Sequence, residues 1–404
     1  MASHGIIRSV HVRTEQQRQE DLKKIDKYHK LEGEIRSRAK AQDFSPDTFD
    51  HTTRLIRLNP EYYTIWNVRR RCITSSLLSV LSAGSSSSME SPNSLPTLTT
   101  SPSTAAFSNS SSHETQCSPE SPPTWKPGTT VDKPTAAHSQ DLQILKTELL
   151  FTIPLLMNHP KCYWIWDHRV WALEQTIKRL PAKMARAIWE EELALDSKML
   201  LRDCRNFHAW GYRLKLTERL ESSELLGSSM AQAEFDYTTE KINTDLSNFS
   251  AWHRRATLIP RILIERAATS EDRKNLFNQE LELVHNALNV GPEDQSLWYY
   301  HQFLMSNVMS SDPNKSFVPS LLSEDANAII DEVLEFIQDL AEDYTDIKWI
   351  YEALLEYNPY KSKIQGRALL NDEKVELSRL IGKLEVLDPM RNGRWRDTRR
   401  SLGL

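Results

Sequence analysis

The sequence predicts an all-α protein in which helical hairpins stack into an α-solenoid. Three observations support this prediction. A short motif built around tryptophan recurs along the chain, its last four copies lie about one helical hairpin apart, and the 404 residues include only 11 glycines. Long stretches such as AKMARAIWEEELALDSKMLLRDC favour helix. The sequence offers no convincing alternating pattern of the kind that predicts strands.

The motif is an aromatic residue, two residues, Trp, two further residues, and Arg. Positions i, i+3 and i+6 share one broad helical face, so we expect the aromatic residue and the tryptophan to pack against the neighbouring hairpin. The arginine then reaches a carbonyl or carboxylate beyond them. Asn or Pro precedes several copies and suits a helix start. The copies are Tyr63/Trp66/Arg69, Tyr163/Trp166/Arg169, Phe207/Trp210/Arg213 and Phe249/Trp252/Arg255, followed by a worn copy around Trp298 with Gln295 and His301 at its outer positions.

The spacing of the tryptophans sets the predicted domain organisation. The last four are 44, 42 and 46 residues apart, which is two helices of three to four turns plus two connections. The first gap is 100 residues, because residues 79–140 hold 17 Ser, 9 Thr and 8 Pro, a composition typical of disorder. We therefore predict a charged, largely helical segment at 1–40, a first repeat at 41–78, a disordered insertion at 79–140, repeats two to five at 141–319, and capping helices at 320–404.

Composition narrows the classes of function. A net charge of -5 and a pI near 6.2 argue against nucleic-acid binding, since that requires clustered positive charge. The four cysteines show no paired spacing, so neither a disulfide framework nor a zinc knuckle is indicated. The N-terminus lacks the apolar run of a signal peptide, and no stretch is apolar enough to span a membrane. These features predict a cytoplasmic protein.

The residues alone give little evidence of catalytic machinery. Phosphate-binding glycine loops, zinc-protease motifs and hydrolase nucleophile elbows are missing from the sequence. Cys204 and His208 have helical spacing but no further ligands nearby in sequence, so a metal site there is a weak hypothesis. The carboxylates at 342, 343 and 346 are more typical of a solvated face than of a magnesium site. Lys161 stands at a predicted helix start, where a cation and backbone N–H groups can meet an anion, although a lone lysine is usually only surface.

The tryptophan–arginine hairpins resemble the alpha subunits of protein prenyltransferases, and are most similar to those of Rab geranylgeranyltransferase (type II). The similar segments include His4-Gly5, the stretch NFSAWHRRATLIP around Trp252, WYYHQFL in the fifth repeat and the terminal LDPMR. The resemblance covers nearly the whole chain outside 79–140. It implies a right-handed, crescent-shaped solenoid that wraps around a beta subunit. It also implies the compact form of the family, without immunoglobulin-like or leucine-rich-repeat modules.

The resemblance further implies an obligate heterodimeric enzyme that transfers geranylgeranyl from its diphosphate to C-terminal cysteines of Rab GTPases presented by an escort protein. Zinc and most of the lipid pocket belong to the beta subunit, so this chain is expected to bind no metal or cofactor. Lys161, Tyr163 and His208 match positions that face the diphosphate. The expected contacts with the beta subunit are Trp166, His168, Arg169, Trp210, Tyr212, Arg213, Trp252, His253 and Arg255.

Two alternatives stay open. The chain could be the alpha subunit shared by farnesyltransferase and geranylgeranyltransferase type I, although the residues around Trp252 and the His4-Gly5 start favour the Rab type. It could also be a tetratricopeptide-like scaffold without catalysis. Tetratricopeptide repeats run 34 residues with small residues at fixed points, so the longer period and the Trp/Arg signature argue against a scaffold.

Overall fold

The computed structural model describes residues 14–80, 135–310, 316–318 and 323–404. These residues form fifteen α-helices and no strand, which confirms the all-α prediction. Most of the predicted insertion at 79–140, and the His4-Gly5 start, lie outside the described residues, and the last residues of that predicted range begin α4. The helices are α1 Glu15–Lys40, α2 Pro46–Leu58, α3 Tyr63–Cys72, α4 Ala136–Asn158, α5 Tyr163–Arg179, α6 Ala182–Arg202, α7 Phe207–Leu220, α8 Ala231–Thr244, α9 Phe249–Glu265, α10 Ser270–Val290, α11 Gln295–Val308, α12 Ser323–Asp343, α13 Lys348–Ile364, α14 Asn371–Leu387 and α15 Asn392–Leu402.

Helix α1 is the charged N-terminal segment, and it begins with a capping box. Thr14 Oγ1 accepts from the N–H of Gln17, and the Gln17 side chain accepts from the N–H of Thr14. Leu22 and Ile25 are 57% and 51% exposed, whereas Ile35 is fully buried. The helix therefore packs through its C-terminal half and projects a solvated N-terminal half.

Five hairpins, α2–α3 through α10–α11, repeat one hydrogen bond that fixes the tryptophan. In each, the indole Nε1 donates to the carbonyl six residues earlier, at 2.7 to 2.9 Å. All five tryptophans are at least 93% buried, so the prediction that they pack is confirmed. Their acceptors are the carbonyls of Pro60, Pro160, Cys204, Leu246 and Pro292.

The aromatic residue of the motif does not pack as expected. Tyr63, Tyr163, Phe207 and Phe249 are between 50% and 67% exposed. Each is the first residue of its helix, so it lies at the end of the hairpin, where much of its ring stays exposed. Asn206 and Asn248 are N-caps as predicted, whereas the two predicted proline starts, at 60 and 160, lie in the turn before the helix.

The motif arginine forms a buried ion pair with the first helix of the next hairpin. Arg213 holds Glu234 at 2.7 and 3.1 Å, and Arg255 holds Glu280 at 2.6 and 2.7 Å. Arg69 pairs with Glu148 in the same way, with Nη2 2.8 Å from Oε2. The predicted reach of the arginine to a carboxylate is therefore confirmed for these three copies.

The contacts divide the chain into two units. The first comprises residues 1–153 and 168–181, and the second comprises 154–167 and 182–404. An apolar cluster of Ile73, Leu78 and Leu145 lies in the first unit. The second contains a cluster in which Ala231 packs with Leu258 and Ile262. Each unit buries the apolar faces that its hairpins cannot bury alone.

The C-terminal region, predicted to cap the solenoid, forms two more helical hairpins, α12–α13 and α14–α15. Tyr351 Oη donates to the carbonyl of Thr345, six residues earlier, as the tryptophans do in the repeats. Trp395 Nε1 donates to the carbonyl of Asp388 at 3.2 Å. The hairpins α12–α13 and α14–α15 are therefore further, diverged copies. Among the described helices, none has the length and apolar character needed to cross a membrane.

Candidate functional site

Lys161 and Tyr163 lie where the turn after α4 enters α5. The turn is closed by the N–H of Cys162 donating to the carbonyl of His159 at 3.0 Å. Lys161 is exposed, and Tyr163 is 54% exposed with its ring edge-on to Trp164 at 5.5 Å between centroids. Both side chains are therefore accessible to solvent at the start of the helix.

His208 lies at the start of the equivalent helix in the next repeat, α7. Its own N–H and that of Ala209 donate to Oδ1 of Asn206 at 3.0 and 3.4 Å, which caps the helix. The imidazole is partly buried and packs on the ring of Phe207, with the centroids 4.1 Å apart. The Asn206 cap and the Phe207 ring together fix the position of His208.

The fold brings the predicted site residues of two repeats together. The rings of Tyr163 and His208 lie 6.3 Å apart, although 45 residues separate them in sequence. Lys161 is two residues from Tyr163, so an ammonium, a phenol and an imidazole gather at two adjacent helix starts. Helix N-termini add positive potential and free N–H groups. This arrangement suits an anion with several oxygens, and we call these three residues the anion site.

The residues predicted to contact a partner lie mostly inside the chain. Trp166, His168, Arg169, Trp210, Tyr212, Arg213, Trp252 and Arg255 are each at least 93% buried. Only His253 of the nine is exposed. The predicted interface role stays a prediction for all nine, but eight of them have little side-chain surface to present because the motif places them between hairpins.

A different set of side chains is exposed where the two helices of a hairpin meet. In the second unit, apolar residues at the ends of first helices and near the starts of second helices are 42% to 76% exposed. We call this set the apolar rim: Met157, Tyr163, Leu201, Phe207, Phe249, Val290 and Tyr299. Phe249 and Tyr299 border an apolar groove of about 390 Å³ between α9 and α11, which His253 also lines. The anion site is therefore continuous with an apolar surface.

A buried cluster of charged side chains joins two repeats within the first unit. Glu148 is 3% exposed, and burial disfavours its charge. The hydrogen bond to His168 and the guanidinium of Arg69 nevertheless lower the pKa of Glu148 to about 2. Burial lowers the pKa of His168, whose Nε2 lies 2.7 Å from Glu148 Oε1. The carboxylate thus stays charged and joins two repeats.

These glutamates were missed by the sequence prediction, although the sequence contains their signal. A glutamate stands 18 residues before each tryptophan of repeats two to five. Glu148, Glu234 and Glu280 each bind the motif arginine of the preceding repeat. Tyr212 donates to Glu192 at 2.7 Å, and Tyr300 donates to Glu280 at 2.6 Å. The first repeat has Thr48 at this position, which fits the lack of a preceding motif arginine. The members are Glu148, Glu192, Glu234 and Glu280.

Asp196 is an exception within the scaffold. It is 1% exposed, and neither carboxyl oxygen has a hydrogen-bond partner among the described residues. Arg213 Nη1 lies 3.8 Å away, but that guanidinium already binds Glu234. Burial raises the pKa of Asp196 well above its usual range. Three other repeats carry threonine at the equivalent position.

The two weaker hypotheses of chemistry find no support in the geometry. Cys204 Sγ lies 3.3 Å from Asp245 Oδ2, and burial raises the pKa of this thiol. The carboxylates at 342, 343 and 346 are exposed. Across residues 14–80, 135–310 and 323–404, no group of three or more His, Cys, Asp or Glu side chains is placed to hold a metal ion.

Comparison with known proteins identifies the family. A model described as "Protein prenyltransferase alpha subunit repeat" matches residues 46–76, 145–176, 189–220, 231–262 and 277–308, which are the five hairpins. The Geranylgeranyl transferase type-2 subunit alpha of Saccharomyces cerevisiae is 30% identical over 306 residues, covering 75% of this chain and 72% of the yeast protein. The chain belongs to the protein prenyltransferase alpha-subunit family. The Schizosaccharomyces pombe protein of the same name is 27% identical and covers 97% of this chain and 96% of its own length.

A solved structure also shows the fold. A chain of Candida albicans protein geranylgeranyltransferase-I complexed with GGPP aligns with a TM-score of 0.55 and 18% identity, covering 93% of this chain and 91% of that chain. The fold class expected from the Trp/Arg hairpins is confirmed, and this chain is an alpha subunit of a prenyltransferase.

Proposed function

We propose that this chain is the alpha subunit of a geranylgeranyltransferase type II, which transfers geranylgeranyl from its diphosphate to C-terminal cysteines of Rab GTPases. The similarity to type-2 alpha subunits from two yeasts supports the type of enzyme. The single structural observation that carries the proposal is the 6.3 Å approach of the Tyr163 and His208 rings from two repeats, with Lys161 two residues before Tyr163 at the start of the same helix. A leaving diphosphate is an anion with many oxygens, which fits this donor set.

The chemistry of the transfer explains why cations and hydrogen-bond donors are useful there. When bound on the beta subunit, zinc would hold the substrate cysteine as a thiolate. As the bond from geranylgeranyl C1 to the diphosphate oxygen breaks, negative charge grows on the leaving group. In the proposed site the Lys161 ammonium pairs with that charge, while the Tyr163 hydroxyl and the His208 imidazole donate hydrogen bonds to diphosphate oxygens. The site thus stabilises the transition state more than the ground state.

The apolar rim supplies the surface that binds the beta subunit in this proposal. Its exposed side chains flank the anion site, so a partner seated on them would bring its own active site to Lys161 and His208. Obligate interfaces bury roughly 2,000 Å² or more and are more apolar than transient ones. Rim residues such as Phe207 and Phe249 offer exposed aromatic surface of this kind.

The experiment that tests the type of enzyme uses the full chain co-expressed with its candidate beta subunit. Transfer of labelled geranylgeranyl is measured to a Rab protein with escort protein present, and separately to a protein ending in a CaaX sequence. The proposal expects label on the Rab protein only, and only with the heterodimer. Transfer of labelled geranylgeranyl to the CaaX protein would establish the alpha subunit shared with geranylgeranyltransferase type I, and a chain that binds no beta subunit would be a scaffold.

A further inference from the structure

Asn206 makes contacts on both sides of the junction between the second and third repeats. Its Oδ1 caps α7 by accepting from the N–H groups of His208 and Ala209. Its Nδ2 donates to the carbonyl of Pro160 at 3.1 Å, which is in the preceding repeat. The side chain is 2% exposed, so these three hydrogen bonds are shielded from water.

The carbonyl of Pro160 is the oxygen of the peptide bond that leads into Lys161. It accepts a second hydrogen bond, from Trp166 Nε1 at 2.9 Å. A peptide group is planar, so two donors on its oxygen restrict the orientation of the whole plane, including the nitrogen of Lys161. Trp166 fixes this plane to its own repeat, whereas Asn206 fixes it to the helix that carries His208.

We propose that Asn206 is a positioning residue for prenyl transfer, which holds the Lys161 turn in register with the start of α7 so that Lys161 and His208 meet one diphosphate. This inference rests on the proposed function. One amide bridges the two halves of the anion site, with its oxygen on the His208 side and its NH2 group on the Lys161 side. A displacement of about 1 Å in such a site costs up to about 100-fold in rate.

The chain contains a matched control for a purely structural role. Asn248 caps α9 by accepting from the N–H of Ala251 at 3.2 Å, and its Nδ2 donates to the carbonyl of Cys204 at 2.9 Å. It is fully buried. The peptide it holds leads into Arg205, which is paired with Asp245 at 2.6 Å rather than placed in the anion site. Loss of Asn248 therefore removes the same kind of cap and bridge at the turn before α7, while Asn206 still holds the Lys161 turn and still caps the helix that carries His208.

The test measures kcat/KM for geranylgeranyl transfer, and the thermal midpoint, for five separate variants of the heterodimer. Four carry one substitution each: Asn206→Ala, Asn206→Asp, Asn248→Ala or Lys161→Ala. The fifth combines Asn206→Ala with Lys161→Ala. Asn206→Asp keeps an oxygen that can accept both cap hydrogen bonds but has no NH2 group to donate to the carbonyl of Pro160. We expect kcat/KM to fall about 10-fold with either Asn206 variant, and less than about 3-fold with Asn248→Ala, at a similar loss of thermal midpoint. Because Asn206 acts through Lys161, its loss should add less than about 3-fold in the Lys161→Ala background.

Four results would overturn the inference. Full activity of Asn206→Asp would mean that only the helix cap is needed. If Asn206→Ala and Asn248→Ala lose transfer equally, the effect is a general structural one. The same conclusion follows if the double variant loses the full product of the Asn206→Ala and Lys161→Ala losses. Normal transfer by Lys161→Ala would reject the proposed role of Lys161, and the positioning role of Asn206 would fall with it. If Lys161→Ala is defective but the Asn206 variants are not, the proposed function stands and only the role of Asn206 is rejected.

Discussion

Replacing Asp196 with threonine should stabilise the protein. The equivalent residues in repeats one, two and four are Thr52, Thr152 and Thr238, all fully buried. Each donates its hydroxyl to the carbonyl three residues earlier, at 2.6 to 2.8 Å. A threonine at 196 would have the carbonyl of Leu193 at the same offset. The substitution therefore exchanges an unsatisfied carboxyl for a hydroxyl with a partner.

The magnitude follows from the state of Asp196 in the fold. A buried polar group without a hydrogen bond costs about 1–3 kcal/mol, so Asp196→Thr should raise the free energy of unfolding by about that much at pH 7. Burial raises the pKa of Asp196. The folded state therefore binds this proton more tightly than the unfolded state, and the wild type loses stability as the pH rises above the ordinary carboxyl pKa of about 4. The advantage of threonine should accordingly be smallest near pH 4 and grow towards neutral pH.

The assay is thermal unfolding of the heterodimer at fixed concentration between pH 5 and 8, comparing wild type, Asp196→Thr and the reciprocal variant Thr238→Asp. A gain of about 1–3 kcal/mol corresponds to a rise of about 1–4 °C in the midpoint for a chain of this length. Thr238→Asp, which buries a carboxylate beside the Arg255–Glu280 pair, should lower the midpoint. The reasoning would be refuted if Asp196→Thr destabilised the protein, or if the difference from wild type did not change with pH.

Three further predictions follow from the same scaffold and surface. Glu148→Gln leaves Arg69 buried without its charge partner and should lower the free energy of unfolding, measured in urea at pH 7, by about 3–5 kcal/mol. Because the pKa of Glu148 is lowered to about 2, the wild type should lose this stabilisation as the pH falls from about 4 towards 2. Burial lowers the pKa of His301 to about 3, so wild type should lose stability as the pH falls below about 6.5, and His301→Gln should lose less between pH 7 and 5 by thermal unfolding. Phe249→Asp on the apolar rim should abolish co-purification of the beta subunit. Ile264→Asp should not, because Ile264 is exposed at the other end of α9. Equal binding of the beta subunit by both variants would exclude the rim as the interface.

The repeat architecture could be predicted from the sequence because its signal is periodic. The tryptophans recur 42 to 46 residues apart, and any residue that packs against them must share that period. The buried glutamates obey the same spacings, so their role follows once the period is known. Tyr351 was not recognised because it lies 53 residues after Trp298 and has Leu354 where the motif has arginine.

Exposure along each helix was harder to predict than the packed face. Helical periodicity tells which side of a helix faces a neighbour, but not how far along that neighbour a residue lies. Phe207 shares a face with Trp210, yet it is 67% exposed because it is the first residue of its helix. The 6.3 Å approach of Tyr163 and His208 depends on the stacking of two hairpins, which spacing alone does not give.

The measurement that tests the central claim most directly is kcat/KM for geranylgeranyl transfer to a Rab protein, with escort protein present, by heterodimers carrying Lys161→Ala or Lys178→Ala. Both lysines are exposed. Lys161 lies just before the start of α5, and Lys178 lies in the last turn of the same helix. If Lys161 stabilises the leaving diphosphate, its variant should lose about 10-fold or more, equal to about 1.4 kcal/mol of transition-state stabilisation, while Lys178→Ala matches wild type. Equal activity of the two variants would contradict the anion site and the account built on it.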